Sequence, residues 1–172
     1  MSDLFEASGL AASAPRPLAD RMRPARLEDV VGQDHLLGPE GTLSRMLKTR
    51  TLGSLIFWGP PGTGKTTIAR LLANETDLAF EQISAIFSGV ADLKKVFEAA
   101  RARRMGGRAT LLFVDEIHRF TKAQQDALLP GVEDRLVILV AATTENPSFS
   151  VIAPLLSRSV LVTLEPLGDD DV

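Results

Sequence analysis

From Gly59 to Thr67 the chain reads Gly59, Pro60, Pro61, Gly62, Thr63, Gly64, Lys65, Thr66, Thr67, and its first eight positions satisfy the spacing G-x-x-x-x-G-K-[ST]. Glycines at these places let the backbone wrap an anion with its amides turned inward, and a helix starting behind them adds its positive dipole end. The chemistry implied is the grip on a nucleoside triphosphate. Lys65 would reach the β and γ phosphates, and Thr66 would place its hydroxyl on a magnesium ion. The plain alternative is a Gly and Pro turn that happens to precede a lysine. The flanks argue against it, because a short apolar run, Ser54 to Trp58, comes before, and Ile68, Leu71 and Leu72 recur at helical spacing after it.

A second constellation is the acidic pair Asp115-Glu116, which closes the unbroken apolar run Leu111 to Val114. In open α/β sheets ligands bind beyond the carboxyl ends of the strands, so this pair would lie beside the phosphates. Asp115 would hold magnesium through its water shell, and Glu116, one residue on, would polarise the attacking water. On its own such a pair also reads as a solvated strand end. A third polar strand end, Thr143-Thr144-Glu145-Asn146, follows the run Val137 to Ala142. A hydroxyl or an amide there could position the water. Both Thr144 and Asn146 qualify, with Thr144 preferred, and the competing reading is a turn before Pro147.

These groups need a scaffold that delivers strand ends to one place. Ser54–Trp58, Leu78–Ile83, Leu111–Val114, Val137–Ala142 and Val160–Leu164 read as strands. Leu93, Val96, Phe97 and Ala100 fall on one stripe of a helix. Thr121 followed three residues later by Gln124 is a capping box, so another helix begins there. A further helical stretch lies near Leu43 to Lys48. Apolar strands alternating with helices imply an α/β fold, a parallel five-stranded sheet covered on both faces.

Composition is compatible with one such domain. The 172 residues are 45% hydrophobic, 24% charged and carry a net charge of -3, so bulk electrostatics does not draw the chain to nucleic acid or to an anionic membrane. Any DNA contact must come from a local basic patch. There is no cysteine, which excludes disulfides and thiolate metal sites. No apolar stretch approaches the roughly 18 residues of a membrane span, and the chain start is acidic, so a cytoplasmic location is expected. Met1–Arg16 mixes Ala, Ser, Gly and Pro and reads as disordered.

The order Gly-Pro-Pro-Gly-Thr-Gly-Lys-Thr, Phe-Val-Asp-Glu-Ile-His-Arg-Phe, Ala-Thr-Thr-Glu-Asn-Pro-Ser-Phe and Leu-Leu-Ser-Arg resembles an AAA+ ATPase. Residues 115–125 and 142–158 are similar to the RarA/MgsA family, relatives of clamp loaders also known as Werner-helicase-interacting ATPases. The resemblance runs from about Leu18 to Leu167. It implies a P-loop NTPase, a three-layer αβα sandwich with ATP and Mg2+ as cofactors. Lys65 and Thr66 become the Walker A pair, Asp115 and Glu116 the Walker B pair, and Thr144 or Asn146 the first sensor. Arg158 becomes an arginine finger reaching the ATP of a neighbouring subunit. Residues 17–53, with Arg21 to Pro24 and Val31, Gly32 and Gln33, would hold the adenine, and 54–167 would form the ATPase core. At 168–172 the resemblance leads one to expect a linker into a helical lid and an oligomerisation domain; without them, weak ATP binding and slow turnover are expected of the chain alone.

The function implied is an ATPase that remodels DNA at stalled replication forks, stimulated by DNA ends, forks or single strands, assembled as a homo-oligomer and free of membrane. The alternatives are a nucleotide-dependent docking module for replisome partners, and a Holliday-junction branch-migration motor. The motor shares the Ala-Thr-Thr strand end, but the Glu-Asn-Pro-Ser-Phe continuation argues against it. Sliding clamp or single-strand-binding protein are possible partners, the former through Ser2-Asp3-Leu4-Phe5. Lys94, Lys95, Arg101, Arg103, Arg104 and Arg108 read either as a DNA-tracking face or as a solvated helix side. His118 reads as a structural loop histidine or as a sensor of nucleotide state.

Overall fold

The computed structural model describes residues 41–49 and 52–165. The expected arm 1–16, the adenine-site residues Val31, Gly32 and Gln33, and the stretch 168–172 lie outside the described residues. Helix α1 (Thr42–Thr49) precedes β1 (Leu55–Trp58), α2 (Lys65–Glu75), β2 (Ala79–Ser84), α3 (Val90–Met105) and β3 (Thr110–Asp115). A 3-10 turn (Ile117–Arg119) leads into α4 (Lys122–Asp126), α5 (Leu129–Glu133), β4 (Val137–Thr143), α6 (Pro147–Ser150), α7 (Ala153–Ser157) and β5 (Val160–Thr163).

The five strands form one parallel sheet in the order β2-β3-β4-β1-β5. Successive side chains on a strand point to opposite faces, so each central strand feeds two cores. Leu112 and Val114 of β3 join Ile56, Leu139 and Ala141 in one, packed on Leu93, Val96, Phe97 and Ala100 of α3. Leu111 and Phe113 join Leu55, Phe57, Val140 and Ala142 in the other, packed on Ile68, Leu71 and Leu72 of α2 and on Leu43 of α1. This double burial is why β3 and β4 lack the polar alternation of a one-faced sheet. The result is the three-layer αβα sandwich.

Strand boundaries move by one residue at most positions relative to the sequence expectation, and β3 extends to include Asp115 itself. The capping box holds: Thr121 Oγ1 accepts from the Gln124 amide at 3.2 Å and the Gln124 side chain accepts from the Thr121 amide at 2.9 Å. Among the described residues no helix is long and apolar enough to cross a membrane.

Candidate active site

The phosphate loop bridges the end of β1 and the start of α2. Its glycines serve two different needs. A Cβ on Gly59 would stand 2.6 Å from the carbonyl oxygen of Leu164, so glycine lets the end of β1 pack against the end of β5. Gly62 and Gly64 have φ of 80° and 85°, and an added Cβ there would meet nothing within 4 Å, so backbone conformation, not space, requires them. Gly64 caps α2 without any side-chain hydrogen bond, which leaves the first amides of the helix available to an anion. The Pro60 carbonyl accepts from the Thr63 hydroxyl at 3.0 Å and from Lys65 Nζ at 2.8 Å. Thr63 is buried and braces the loop.

The cleft above this loop has a volume of about 330 Å³ and is lined by Pro61, Gly62, Thr63, Gly64, Lys65, Thr66, Thr67, Asp115, Glu116 and Thr144. The structure therefore brings together the lysine, the hydroxyl, both carboxylates and one of the two sensor candidates. Burial pushes the Asp115 carboxyl above its ordinary range, and Glu116 beside it pushes the same way, against the Glu116 amide, Lys65 and His118. Burial also lowers Lys65, while Asp115 and Glu116 pull it back up. Burial is the larger cause of the raised proton affinity of Asp115, and two carboxylates beside one ammonium add an excess of negative charge. A divalent cation relieves that excess, and Thr66 and Asp115, oxygen donors lining one cleft, suit the hard Mg2+ ion. Bound there, Mg2+ would neutralise charge on the phosphates.

Glu116 sits in the left-handed region at φ 58°, ψ 44°, an uncommon place for a residue with a side chain and one that costs about 1–2 kcal/mol. The sharp turn stops β3 and starts the 3-10 turn, so that Glu116 and His118 come together. His118 Nε2 lies 3.2 Å from Glu116 Oε2, and its Nδ1 lies 2.9 Å from the hydroxyl of Thr143. The imidazole is almost enclosed, with 7% of its side chain exposed. Thr143 is the last residue of β4 and Thr144 follows it into the cleft. Asn146 does not reach the cleft: it caps α6, its Oδ1 accepting from the Ser148 amide at 3.0 Å.

Arg158 lies elsewhere. It sits just before β5, at the opposite end of the sheet, and with Glu133, Gly53, Ser54 and Val137 it lines a second cleft. Its Nη2 is 3.1 Å from Glu133 Oε1 and its Nη1 donates to the Pro154 carbonyl at 2.9 Å. A six-residue strand such as β3 rises about 20 Å, so Arg158 cannot serve the phosphate cleft of its own subunit. In the basic run of α3, Arg103 pairs with Glu81 and Arg104 pairs with Asp134 at 3.1 Å. These two brace α3 against β2 and against the end of α5.

The sequence assigns no role to Thr143, one of four polar residues in a row at that strand end, or to Gln125. The latter is 2% exposed and ties α4 to the segment after β4. Its Nε2 donates to the carbonyls of Phe120 and Ser150 at 3.3 and 2.9 Å, and its Oε1 accepts from the Ile152 amide at 2.9 Å. A glutamine on the apolar side of a short helix was the available signal.

Residues 55–164 match the family of ATPases associated with various cellular activities, AAA. Replication-associated recombination protein A of Escherichia coli K12 is 48% identical over 157 residues, covering 91% of this chain and 35% of that protein. An uncharacterized AAA domain-containing protein of Mycobacterium tuberculosis is 56% identical over 162 residues, covering 94% of this chain and 36% of that one. The chain thus spans about a third of the length of these relatives. The solved structure of the Thermotoga maritima RuvB Holliday junction branch migration motor superposes with a TM-score of 0.68 at 30% identity, covering 84% of this chain and 48% of that one. With its phosphate loop, acidic strand end and sheet order in place, the chain belongs to the AAA family of ATPases.

Proposed function

We propose that this chain binds Mg-ATP in the cleft between the phosphate loop and the ends of β3 and β4, and that Glu116 activates the water that cleaves it. The observation that carries the reading is the convergence of Lys65, Thr66, Asp115, Glu116 and Thr144 on one cleft. Lys65 and the open amides of α2 hold the triphosphate, while Thr66 and Asp115 hold the metal. Glu116 takes the water's proton, and the hydroxyl of Thr144 orients that water. Arg158, remote from its own cleft, supplies positive charge to the cleft of a neighbouring subunit. In the whole protein the hydrolysis is coupled to DNA at stalled replication forks and is stimulated by it. The names of relatives such as replication-associated recombination protein A and the Dictyostelium discoideum ATPase WRNIP1, 43% identical over 156 residues, support that assignment.

The test is Glu116→Gln in the natural full-length protein. Removal of the base is expected to lower kcat by about 10²–10⁴-fold with Mg-ATP affinity retained. Turnover at the unmodified rate would sink the assignment of Glu116, and loss of ATP affinity together with turnover would move its role from chemistry to binding.

A further inference from the structure

His118 is an almost enclosed titratable side chain beside the cleft, and the hydrolytic scheme above gives it no task. Its two ring nitrogens face two different kinds of partner. Nε2 faces a carboxylate oxygen of Glu116 at 3.2 Å, and an ionised carboxylate only accepts hydrogen bonds, so Nε2 must carry the proton. In a neutral imidazole Nδ1 is then an acceptor and needs a donor. The hydroxyl of Thr143, 2.9 Å away, is the group in reach. That hydroxyl has one proton, and its other acceptor, the Glu145 carbonyl, lies further off at 3.3 Å. It accepts in turn from the Glu145 amide at 3.0 Å. Thr143 is 1% exposed, so water does not compete for its hydroxyl.

We propose that His118 is a positioning residue for Glu116, part of a one-directional hydrogen-bond chain that runs from the Glu145 amide through Thr143 and His118 to the Glu116 carboxylate. The proposal rests on the reading of Glu116 as the base. Thr143 fixes the tautomer, the tautomer supplies the donor, and the donor fixes the orientation of a carboxylate whose backbone already sits in a strained region. Because Thr143 ends β4 and Thr144 continues it into the cleft, the base is tied to the strand end that lies beside the phosphates. A shift of that strand end on nucleotide binding would pass to Glu116 through two side chains.

The asymmetry of the imidazole gives a test. The amide nitrogen of glutamine can stand near the place of Nε2, whereas the shorter asparagine reaches only the place of Nδ1. In the natural full-length protein, His118→Gln is expected to keep most of kcat, and His118→Asn to lose about tenfold to a hundredfold. KM for ATP and the affinity for a fluorescent ATP analogue should stay within about threefold in both. Thr143→Val is expected to lower kcat in the parent, with much less effect in the His118→Asn background, since the two act through one chain. Equal kcat in the two His118 variants, or fully additive losses, would overturn the proposal, because a merely structural histidine predicts that pattern.

A second measurement leaves His118 and Thr143 unaltered. The chain has two histidines, His35 and His118, so nitrogen NMR of histidine-labelled protein can assign His118 by comparison with a His35→Gln variant. For the neutral imidazole the Nε2–H tautomer with a bare Nδ1 is expected; the opposite tautomer would overturn the proposal. If Glu116→Gln left turnover intact, the hydrolytic reading would fall while the tautomer stood, so the two failures are distinguishable.

Discussion

The two ends of the sheet handle charge in opposite ways. At the carboxyl ends of the strands, Gly62 and Gly64 hold positive φ, Glu116 sits in the left-handed region, and two carboxylates line one cleft with a single lysine. At the amino ends, charges are matched locally: Arg158 with Glu133, and Arg104 with Asp134. The sequence between the ends is the same unbroken apolar strand, buried on both faces. Positive φ at residues other than glycine occurs at both rims, at Glu116 on one and at Asp77 and Arg135 on the other, so what sets the carboxyl rim apart is unbalanced charge in a cleft. That division is what a centre for a cation and phosphates requires, since the unbalanced carboxylates are left for the ligand to neutralise. The opposite rim carries one candidate for chemistry, Arg158, and its geometry suits service to another molecule.

The largest effect that would test this division is the loss of Arg158. If it stabilises the transferred phosphoryl in a neighbour's cleft, Arg158→Ala is expected to lower the turnover of the assembled protein by about 10³-fold, with Mg-ATP affinity unchanged. Mixing Arg158→Ala subunits with Lys65→Ala subunits should restore part of the rate, because each defect then lies at a different cleft. Absence of rescue, under conditions where mixed oligomers are seen to form, would return Arg158 to a purely structural place at the amino-end rim.

A smaller effect concerns the carboxyl-end rim, where function and stability should pull apart. The folded protein holds the Asp115 proton more tightly than the unfolded chain does, chiefly because the carboxyl is buried and then because Glu116 is near. Its ionisation thus destabilises the fold at pH values above the raised pKa, and this cost vanishes below the ordinary value of about 3.9. Asp115→Asn is expected to raise Tm at neutral pH in EDTA, with the gain lost as pH falls below about 4. The same change should lower Mg-dependent turnover by about a hundredfold. A lower Tm at neutral pH would show that Asp115 is held by attraction rather than strained by burial and repulsion.

The difference between the rims also explains what could be read from the sequence. Strand ends at the carboxyl rim were legible because phosphate binding demands residue types at fixed spacing: glycines where φ is positive, then a lysine and a hydroxyl within one turn. The apolar runs Leu111–Val114 and Val137–Ala142 announced buried strands because no polar residue interrupts them. The relations between elements were not legible. Nothing in the spacing says that His118 and Thr143, 25 positions apart, share a hydrogen bond, or that Gln125 reaches the backbone of Ser150 and Ile152. On sequence Thr144 is preferred over Asn146, but both are polar groups after a strand, and it is the cap Asn146 makes on α6 that sets it apart from the cleft-lining Thr144. The short helices α5, α6 and α7 escaped because four or five residues are too few to establish a period.

The smallest effect lies at the pair that holds Arg158. Both terminal nitrogens of its guanidinium are engaged within its own subunit, one with Glu133 and one with the Pro154 carbonyl. A guanidinium that reaches a neighbour's phosphate must exchange at least one of these partners, so Glu133 competes with the phosphate for it. Arg158 and Glu133 have side chains 43% and 50% exposed, and pairs of that kind contribute about 0.2–1 kcal/mol. Glu133→Gln should therefore lower Tm by no more than about 4 °C. Release of the same free energy to the competing contact corresponds to a rise in assembled turnover of up to about fivefold. The rise should vanish in the Arg158→Ala background, because it acts through that side chain alone. A fall in turnover on Glu133→Gln would mean instead that Glu133 presents Arg158 to the neighbour, which makes the amino-end rim a prepared surface rather than a resting one.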